Sequence, residues 1–566
     1  MDELLTAAEA WAALDPQYAD VLTQEIAAAK AGEDWAITSL TARFAGYLTF
    51  GTAGLRAPLG PGPAHMNRVV VRRAAAGLAD FALERCNQPV VVIGYDARHG
   101  SKDFAIDSAA VFTAAGCRVK LMATTVPTPV LAFALKHLQA DVGIMVTASH
   151  NPPTDNGYKV YLGARLVGDN DSAGAYAQIT SPTDEEISQH IERWNLADEL
   201  PPLAESGWEE VTSHIVDDYI EAVTAFLEAP YASTNRSELN IVYTPLHGVG
   251  AAVFCQLMES AGFGTLSLVG QQVEPDPTFP TVAFPNPEEP GALDLAISTA
   301  DSLPDTDIII AHDPDADRLA VAVPVAGEWR RLSGDQVGLL LGARLMPRLL
   351  DEGLIAANSV VSAPQLAELA TLHGVAHQVT PTGFKWICRV KNLGYGYEEA
   401  LGYAVAPHLV NDKDGMSAAV ILADLAAELK AEDRTLVEYL VELNQLIGPT
   451  LTDQVSVPVE TPGVGATLVE NLRTNPPLTL AGQSPLRTVD YHSLDAELAQ
   501  EYGPMNMLEF STEALVAARL MIRPSGTEPK VKCYLSVSAA PGTALETVQA
   551  AMERLRDEAA NFANFE

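Results

Sequence analysis

The chain has 566 residues, 48% of them hydrophobic, with 35 basic against 73 acidic side chains and a formal net charge of −38. This length and composition fit a globular chain of about four domains, and the negative field repels nucleic acid and anionic membranes, so an anionic substrate needs a locally basic pocket. Five scattered cysteines (Cys86, Cys117, Cys255, Cys388, Cys533) form no CxxC pair, which argues against a disulfide framework or structural zinc site and for a reducing, cytoplasmic setting. The acidic start Met1-Asp2-Glu3 and the absence of an apolar run of about 18 residues give no sign of a signal peptide or a membrane span.

In chain order, residues 1–48 are rich in Ala, Leu and Glu and predict helices, with Asp15-Pro16 as a turn or helix start. A glycine loop, Phe50–Arg56, follows. From Pro89 strands and helices alternate: strands at Val90–Ile93, Arg118–Met122 and Val142–Val146, helices at Asp103–Ala115 and Pro129–Leu138. The theme recurs, with strands at Leu239–Tyr243, Thr265–Val269 and Asp307–Ala311 and helices at Ala251–Ala261 and Leu293–Ala300. A third block has a long helix from Ser333 to about Leu350, a strand at Asn358–Val361 and a helix at Ala363–His373. The end differs: strand Val516–Ile522, loop, strand Lys530–Val537, then an amphipathic helix Ala544–Phe562. Alternation of this kind predicts an α/β protein with helices on both faces of its sheets. The first three domains would share a mixed α/β topology, and the fourth would be a smaller α+β domain. The expected bounds are 1–205, 206–324, 325–448 and 449–566.

Four loops carry chemistry. Ser149 ends an apolar strand in Thr147-Ala148-Ser149-His150-Asn151-Pro152, where an α/β sheet presents its reactive groups. Its hydroxyl can carry a phosphoryl group and return it. Phosphoserine would bring about −1.5 to −2 of charge, which calls for a cation such as Lys159. Alone, the same tetrapeptide also reads as a capped turn before proline, and His150 as a brace for it. The second loop, Asp313-Pro314-Asp315-Ala316-Asp317-Arg318, can aim three carboxylates at one hard cation. An EF-hand fails, since Arg318 stands where glycine is needed and Pro324 where glutamate is needed. Asp313 as a phosphatase nucleophile stays open.

The third loop, Tyr397-Glu398-Glu399-Ala400, offers carboxylates for sugar hydroxyls, and Thr382, Gly383 and Lys385 upstream offer a hydroxyl, a close backbone approach and a cation. Lys413 could reach a phosphate or lie on a surface turn, and Arg56 divides evenly between a site cation and a surface arginine. The fourth loop, Arg523-Pro524-Ser525-Gly526-Thr527, combines a guanidinium fork, two hydroxyls and a glycine, the parts of a phosphate clamp.

Together these loops resemble the α-D-phosphohexomutase superfamily of phosphoglucomutases and phosphomannomutases, in order and over nearly the whole chain. Phe50–Arg56, Tyr243–Gly250, Phe284–Gly291 and Thr382–Trp386 resemble most a long subgroup that includes phosphoglucomutase/phosphopentomutase enzymes. The resemblance implies four domains around a central cleft and interconversion of hexose 1-phosphate and hexose 6-phosphate, glucose first. Ser149 would be the phosphorylated residue, with Arg56, Lys159 and His150 beside it. Asp313, Asp315, Asp317 and the Ser149 phosphate would hold Mg2+. Arg318, Thr382, Gly383, Lys385, Glu398, Glu399, Lys413, Arg523, Ser525, Gly526 and Thr527 would bind substrate. The general base is left among Lys159, Arg56 and His247. A bisphosphorylated sugar such as glucose 1,6-bisphosphate would serve as activator, the only partner would be a small phosphosugar, and the chain would be a monomer or homodimer. Ala400 stands where many members have serine, which keeps mannose and pentose phosphates open. A non-catalytic sugar-phosphate binder and a bisphosphate-sugar synthase are the other readings.

Overall fold

The computed structural model describes all residues except 198, 229–232, 234, 461, 525–529 and 562–566. The chain divides into two compact units, Met1–Leu332 with Gly402–Glu428, and Ser333–Leu401 with Leu429–Glu566.

The first unit opens with helices Asp2–Leu14, Ala19–Lys30 and Asp34–Arg43, as the Ala- and Leu-rich composition predicts. Its first sheet contains β1 (Leu55–Pro58), β2 (Val90–Tyr95), β3 (Arg118–Met122), β4 (Val142–Val146), β5 (Asp155–Leu162) and β6 (Glu209–Val211), in the order β1-β5-β4-β2-β3-β6. The central strands β4, β2 and β3 are parallel, whereas β5 runs antiparallel to β4 and β1. Every residue of β4 is buried, as expected of a strand covered on both faces. Helices Ser101–Ala114 and Thr128–His137 pack on it, and helix Arg68–Arg85, started by the Asn67 side chain, which accepts from Val70 N, packs on Ser101–Ala114.

The second sheet contains β7 (Ile241–Thr244), β8 (Ser267–Leu268), β9 (Ile308–His312), β10 (Leu319–Val325) and β11 (Glu328–Arg331), in the order β11-β10-β9-β7-β8. β9 is parallel to β7 but antiparallel to β10. The three-aspartate segment is therefore the turn of a β-hairpin.

In the second unit, β12 (Ile355–Ser359) pairs in parallel with β13 (Ala376–Thr380) and β14 (Leu393–Glu398). Helix Gly334–Glu352 starts at a capping box of Ser333 and Gln336 and stops at Gly353, whose φ is +65°. β15 (Gly402–Ala404) returns the chain to the first unit. The last sheet is antiparallel, β16 (Thr450–Pro458), β20 (Lys530–Ala539), β19 (Val516–Pro524), β18 (Leu508–Thr512) and β17 (Leu486–Asp490) in that order, and helix Leu545–Asn561 covers it. The result is mixed α/β with a further β-rich portion at the C-terminal end.

Two strand expectations need correction. The strand expected at Asn358–Val361 lies at Ile355–Ser359. The β-branched pair Val360-Val361 marks burial, not strand: both side chains enter a separate apolar cluster with Tyr491, Met521 and Tyr534. The weakly apolar Ile355-Ala356-Ala357 instead makes the strand, because small side chains fit between flanking helices. The Thr265–Val269 strand shortens to Ser267–Leu268.

Candidate active site

Ser149 follows β4 and is 3% exposed, with φ +51°. A non-glycine residue in this left-handed region costs about 1–2 kcal/mol, so the surroundings must impose it. Its N–H donates to Thr147 Oγ1 at 2.9 Å. Its Oγ donates to Asp313 Oδ2 at 2.8 Å and lies 3.0 Å from His150 Nδ1. The serine turn and the aspartate turn thus meet, one from each sheet. Burial, then Arg318 and Arg56, hold the His150 imidazole well below its usual pKa, so it is neutral at pH 7.

Asp313, Asp315 and Asp317 are all fully buried, and each turns one carboxylate oxygen to within 4.8 Å of the others'. Burial, then Asp315 and Asp317, push Asp313 well above the ordinary carboxylate range. Burial would raise Asp317 too, but Lys159, Lys413 and Arg318 outweigh it and hold Asp317 below that range. Lys159, on β5, donates to Asp315 Oδ2 and Asp317 Oδ2, both at 2.7 Å. Burial opposes its charge, yet these aspartates raise its pKa. Lys413 Nζ lies 3.3 Å from Asp317. Its loop is pinned by Tyr161 and Gln178, which donate to Asp412 at 2.7 and 2.8 Å.

The donor set fits a hard divalent cation. Asp315 Oδ1 and Asp317 Oδ1 are buried and accept no hydrogen bond among the described residues. Buried carboxylate oxygens without donors are costly unless a cation meets them.

Arg56 is exposed on β1, with Nη1 3.2 Å from Asn151 Oδ1. Glycine at 54 is obligatory for this approach: φ is +73°, and a Cβ would stand 1.8 Å from Tyr158 O. Arg318 Nη1 lies 3.4 Å from Glu288 Oε2. His247 is engaged elsewhere, with Nε2 2.8 Å from Thr281 Oγ1.

The second unit holds the remaining candidates. Glu398 Oε1 accepts from Gly383 N at 2.5 Å, and Arg523 Nη1 donates to Thr382 Oγ1 at 3.0 Å. Lys385 Nζ lies 5.7 Å from the Trp386 ring centroid. Glu399 turns inward, where its Oε2 accepts from Ser359 and Ser362 at 3.0 and 2.9 Å. Ser525, Gly526 and Thr527 lie outside the described residues.

Three family models match the chain in succession. They are described as phosphoglucomutase/phosphomannomutase, alpha/beta/alpha domains I, II and III, and cover residues 47–194, 217–327 and 333–445. The chain belongs to the phosphoglucomutase/phosphomannomutase family. It is a phosphosugar mutase, an isomerase by class.

A Haemophilus influenzae protein named "Probable phosphomannomutase" is 42% identical over 472 residues, 83% of this chain and 92% of its own. A Staphylococcus haemolyticus phosphoglucomutase is 33% identical over 519 residues (87% and 90%), and a Mus musculus phosphopentomutase 34% over 549 residues (88% and 85%). Among solved structures, the open form of parafusin, a phosphoglucomutase from Paramecium, superposes with a TM-score of 0.69 at 18% identity, covering 93% of this chain and 96% of that one. At that identity the likeness concerns the fold.

Two residues of this candidate site escaped the sequence reading. Thr128 donates its Oγ1 to Asp315 Oδ2 at 2.6 Å and its N–H to Asp315 O at 2.9 Å, so a helix start braces the acidic turn. Arg98 grips the serine turn by its carbonyls. Its signal was available in Asp96-Ala97-Arg98-His99-Gly100, polar residues directly after β2. No helix among the described residues is long and apolar enough to cross a membrane.

Proposed function

We propose that this mutase interconverts hexose 1-phosphate and hexose 6-phosphate, with glucose the preferred sugar, through phosphorylated Ser149 and a bisphosphorylated sugar. The observation that carries the reading is the 2.8 Å hydrogen bond from Ser149 Oγ to Asp313, inside a cluster of three buried carboxylates. In the forward step phosphorus bonds the oxygen of the free sugar hydroxyl as its bond to Ser149 Oγ breaks; the hydroxyl gives up its proton and Oγ takes one up, which restores the serine hydroxyl. In the return step Ser149 Oγ attacks the other phosphate of the bisphosphorylated sugar, the bond from phosphorus to the sugar oxygen breaks, and that oxygen takes up a proton. The Ser149 Oγ proton has an acceptor in reach in the neutral His150, whose Nδ1 lies 3.0 Å away. Lys159 stays charged between Asp315 and Asp317 and keeps that pair oriented. Asp313, Asp315 and Asp317 would hold Mg2+, which would supply charge neutralisation for the transferring group.

We assign Glu398 to sugar hydroxyls and Arg523, with Ser525, Gly526 and Thr527, to the phosphate that is not reacting, on the family resemblance. A bisphosphorylated sugar such as glucose 1,6-bisphosphate would load Ser149. The five cysteines are free, in keeping with a cytoplasmic setting. Relatives named phosphomannomutase and phosphopentomutase keep two other sugars in view.

Coupled assays of glucose 1-phosphate, mannose 1-phosphate and ribose 1-phosphate on one preparation test the sugar. The highest kcat/KM should fall to glucose 1-phosphate, and a higher value for either rival overturns that assignment. Ser149→Ala should abolish turnover in a folded enzyme. Full activity in this variant, with release of free phosphate, would instead make Asp313 a phosphatase nucleophile.

A further inference from the structure

We propose that Arg98 is a positioning residue that fixes the phosphoryl-carrying serine; this rests on Ser149 being the carrier. Arg98 is 4% exposed, and its side-chain hydrogen bonds all go to one short stretch of backbone. Nη2 donates to Ser149 O at 2.6 Å and Asn151 O at 2.7 Å. Nη1 donates to Pro152 O at 2.8 Å and Asp155 O at 3.2 Å. A planar fork with several N–H groups can serve several carbonyls at once, which an ammonium cannot do from one point.

The fork is itself aimed from two further sides. Asp96 Oδ1 accepts from Arg98 N at 3.0 Å and from Ser101 Oγ at 2.6 Å, and Asp96 Oδ2 lies 3.5 Å from Arg98 Nε. The Phe279 ring, from the proline-rich segment of the second sheet's portion, lies over the guanidinium with its centroid 4.9 Å away. Ser149 O is the carbonyl of the residue held at φ +51°. The clamp therefore acts on the backbone whose strained conformation turns Oγ toward Asp313. Loosened, the turn relaxes and Oγ leaves the line of transfer, while the groups assigned to sugar and distal phosphate stay intact. The effect belongs in the transfer step and not in substrate binding.

Arg98→Lys and Arg98→Met test this in the full-length enzyme, with turnover expressed per folded molecule and single-turnover phosphorylation by glucose 1,6-bisphosphate followed by intact mass. For Arg98→Lys, kcat and the phosphorylation rate should fall about 100-fold, as a 1 Å misplacement does, with KM changed less than about threefold. Arg98→Met should fall further. A wild-type kcat in Arg98→Lys, or losses that only follow the folded fraction, overturns the proposal. If Arg98→Met does not fold, Arg98→Lys decides. Ser149→Ala separates the two readings: if it is inactive while Arg98→Lys is normal, only the clamp fails, and if it is active, the mutase reading fails.

Discussion

Three carboxylates in one buried turn repel one another, and Asp313 carries most of that strain because Lys159 and Lys413 favour its neighbours. Magnesium should relieve it. We predict a rise in Tm on adding Mg2+, about 2.7 kcal/mol of stabilisation at a hundredfold excess over Kd. Asp313→Asn should lose the magnesium-dependent shift while its metal-free Tm does not fall below wild type. An unchanged shift, read by calorimetry, contradicts metal binding at this turn. The aspartates and Ser149 could be picked out from the sequence because each is a reactive or metal-ligating residue type directly after an apolar strand. Arg98 and Thr128 could not be ranked that way. Their contacts run through backbone carbonyls and to a partner 187 residues away; a polar segment directly after β2 could flag Arg98 as a candidate, but not the carbonyls it grips.

Loops here are placed by close backbone contact. A Cβ on Gly334, at the start of helix Gly334–Glu352, would stand 1.8 Å from Glu399 O. Gly334→Ala should push the Glu398–Ala400 turn aside and lower kcat/KM about 10- to 100-fold through KM and orientation, with the helix itself retained by circular dichroism. Unchanged kinetics would detach that turn from the substrate. In β13, burial depresses His377 to about 4. As pH falls from 6.5 toward 4, the unfolded chain takes up a proton that the folded imidazole does not. Stability should drop across that window by at most about 3.4 kcal/mol. His377→Gln should show a flatter pH dependence in urea unfolding, and parallel slopes would refute the contribution. The parallel strands β2, β3, β4 and β9 were legible because each is a short apolar run between turn residues. β5, which carries Lys159, was not, since Asp155-Asn156-Gly157 reads as a turn. Nor was the true position of β12, where Val360-Val361 misled. Its strand residues are small because helices press on them, a packing fact that composition alone does not reveal.

Taken whole, the chain repeats one arrangement three times: a parallel strand pair ends in a loop that carries candidate site residues, after β4, β9 and β14. That repetition was visible without sequence identity between the blocks, because alternation of strand and helix survives where residues diverge. With a net charge of −38, the molecule can hold an anionic phosphosugar only where cations gather, and Arg56, Lys159, Lys413 and Arg318 do so around the serine and the aspartates. The central claim is that Ser149 itself carries the phosphoryl group between sugars. The direct measurement is mass spectrometry of enzyme treated with glucose 1,6-bisphosphate, before and after a chase with glucose 1-phosphate. One phosphate mapped to Ser149, discharged to the chasing sugar as fast as turnover, is the predicted result. A phosphate mapped to Asp313, or turnover with Ser149 never modified, would contradict it.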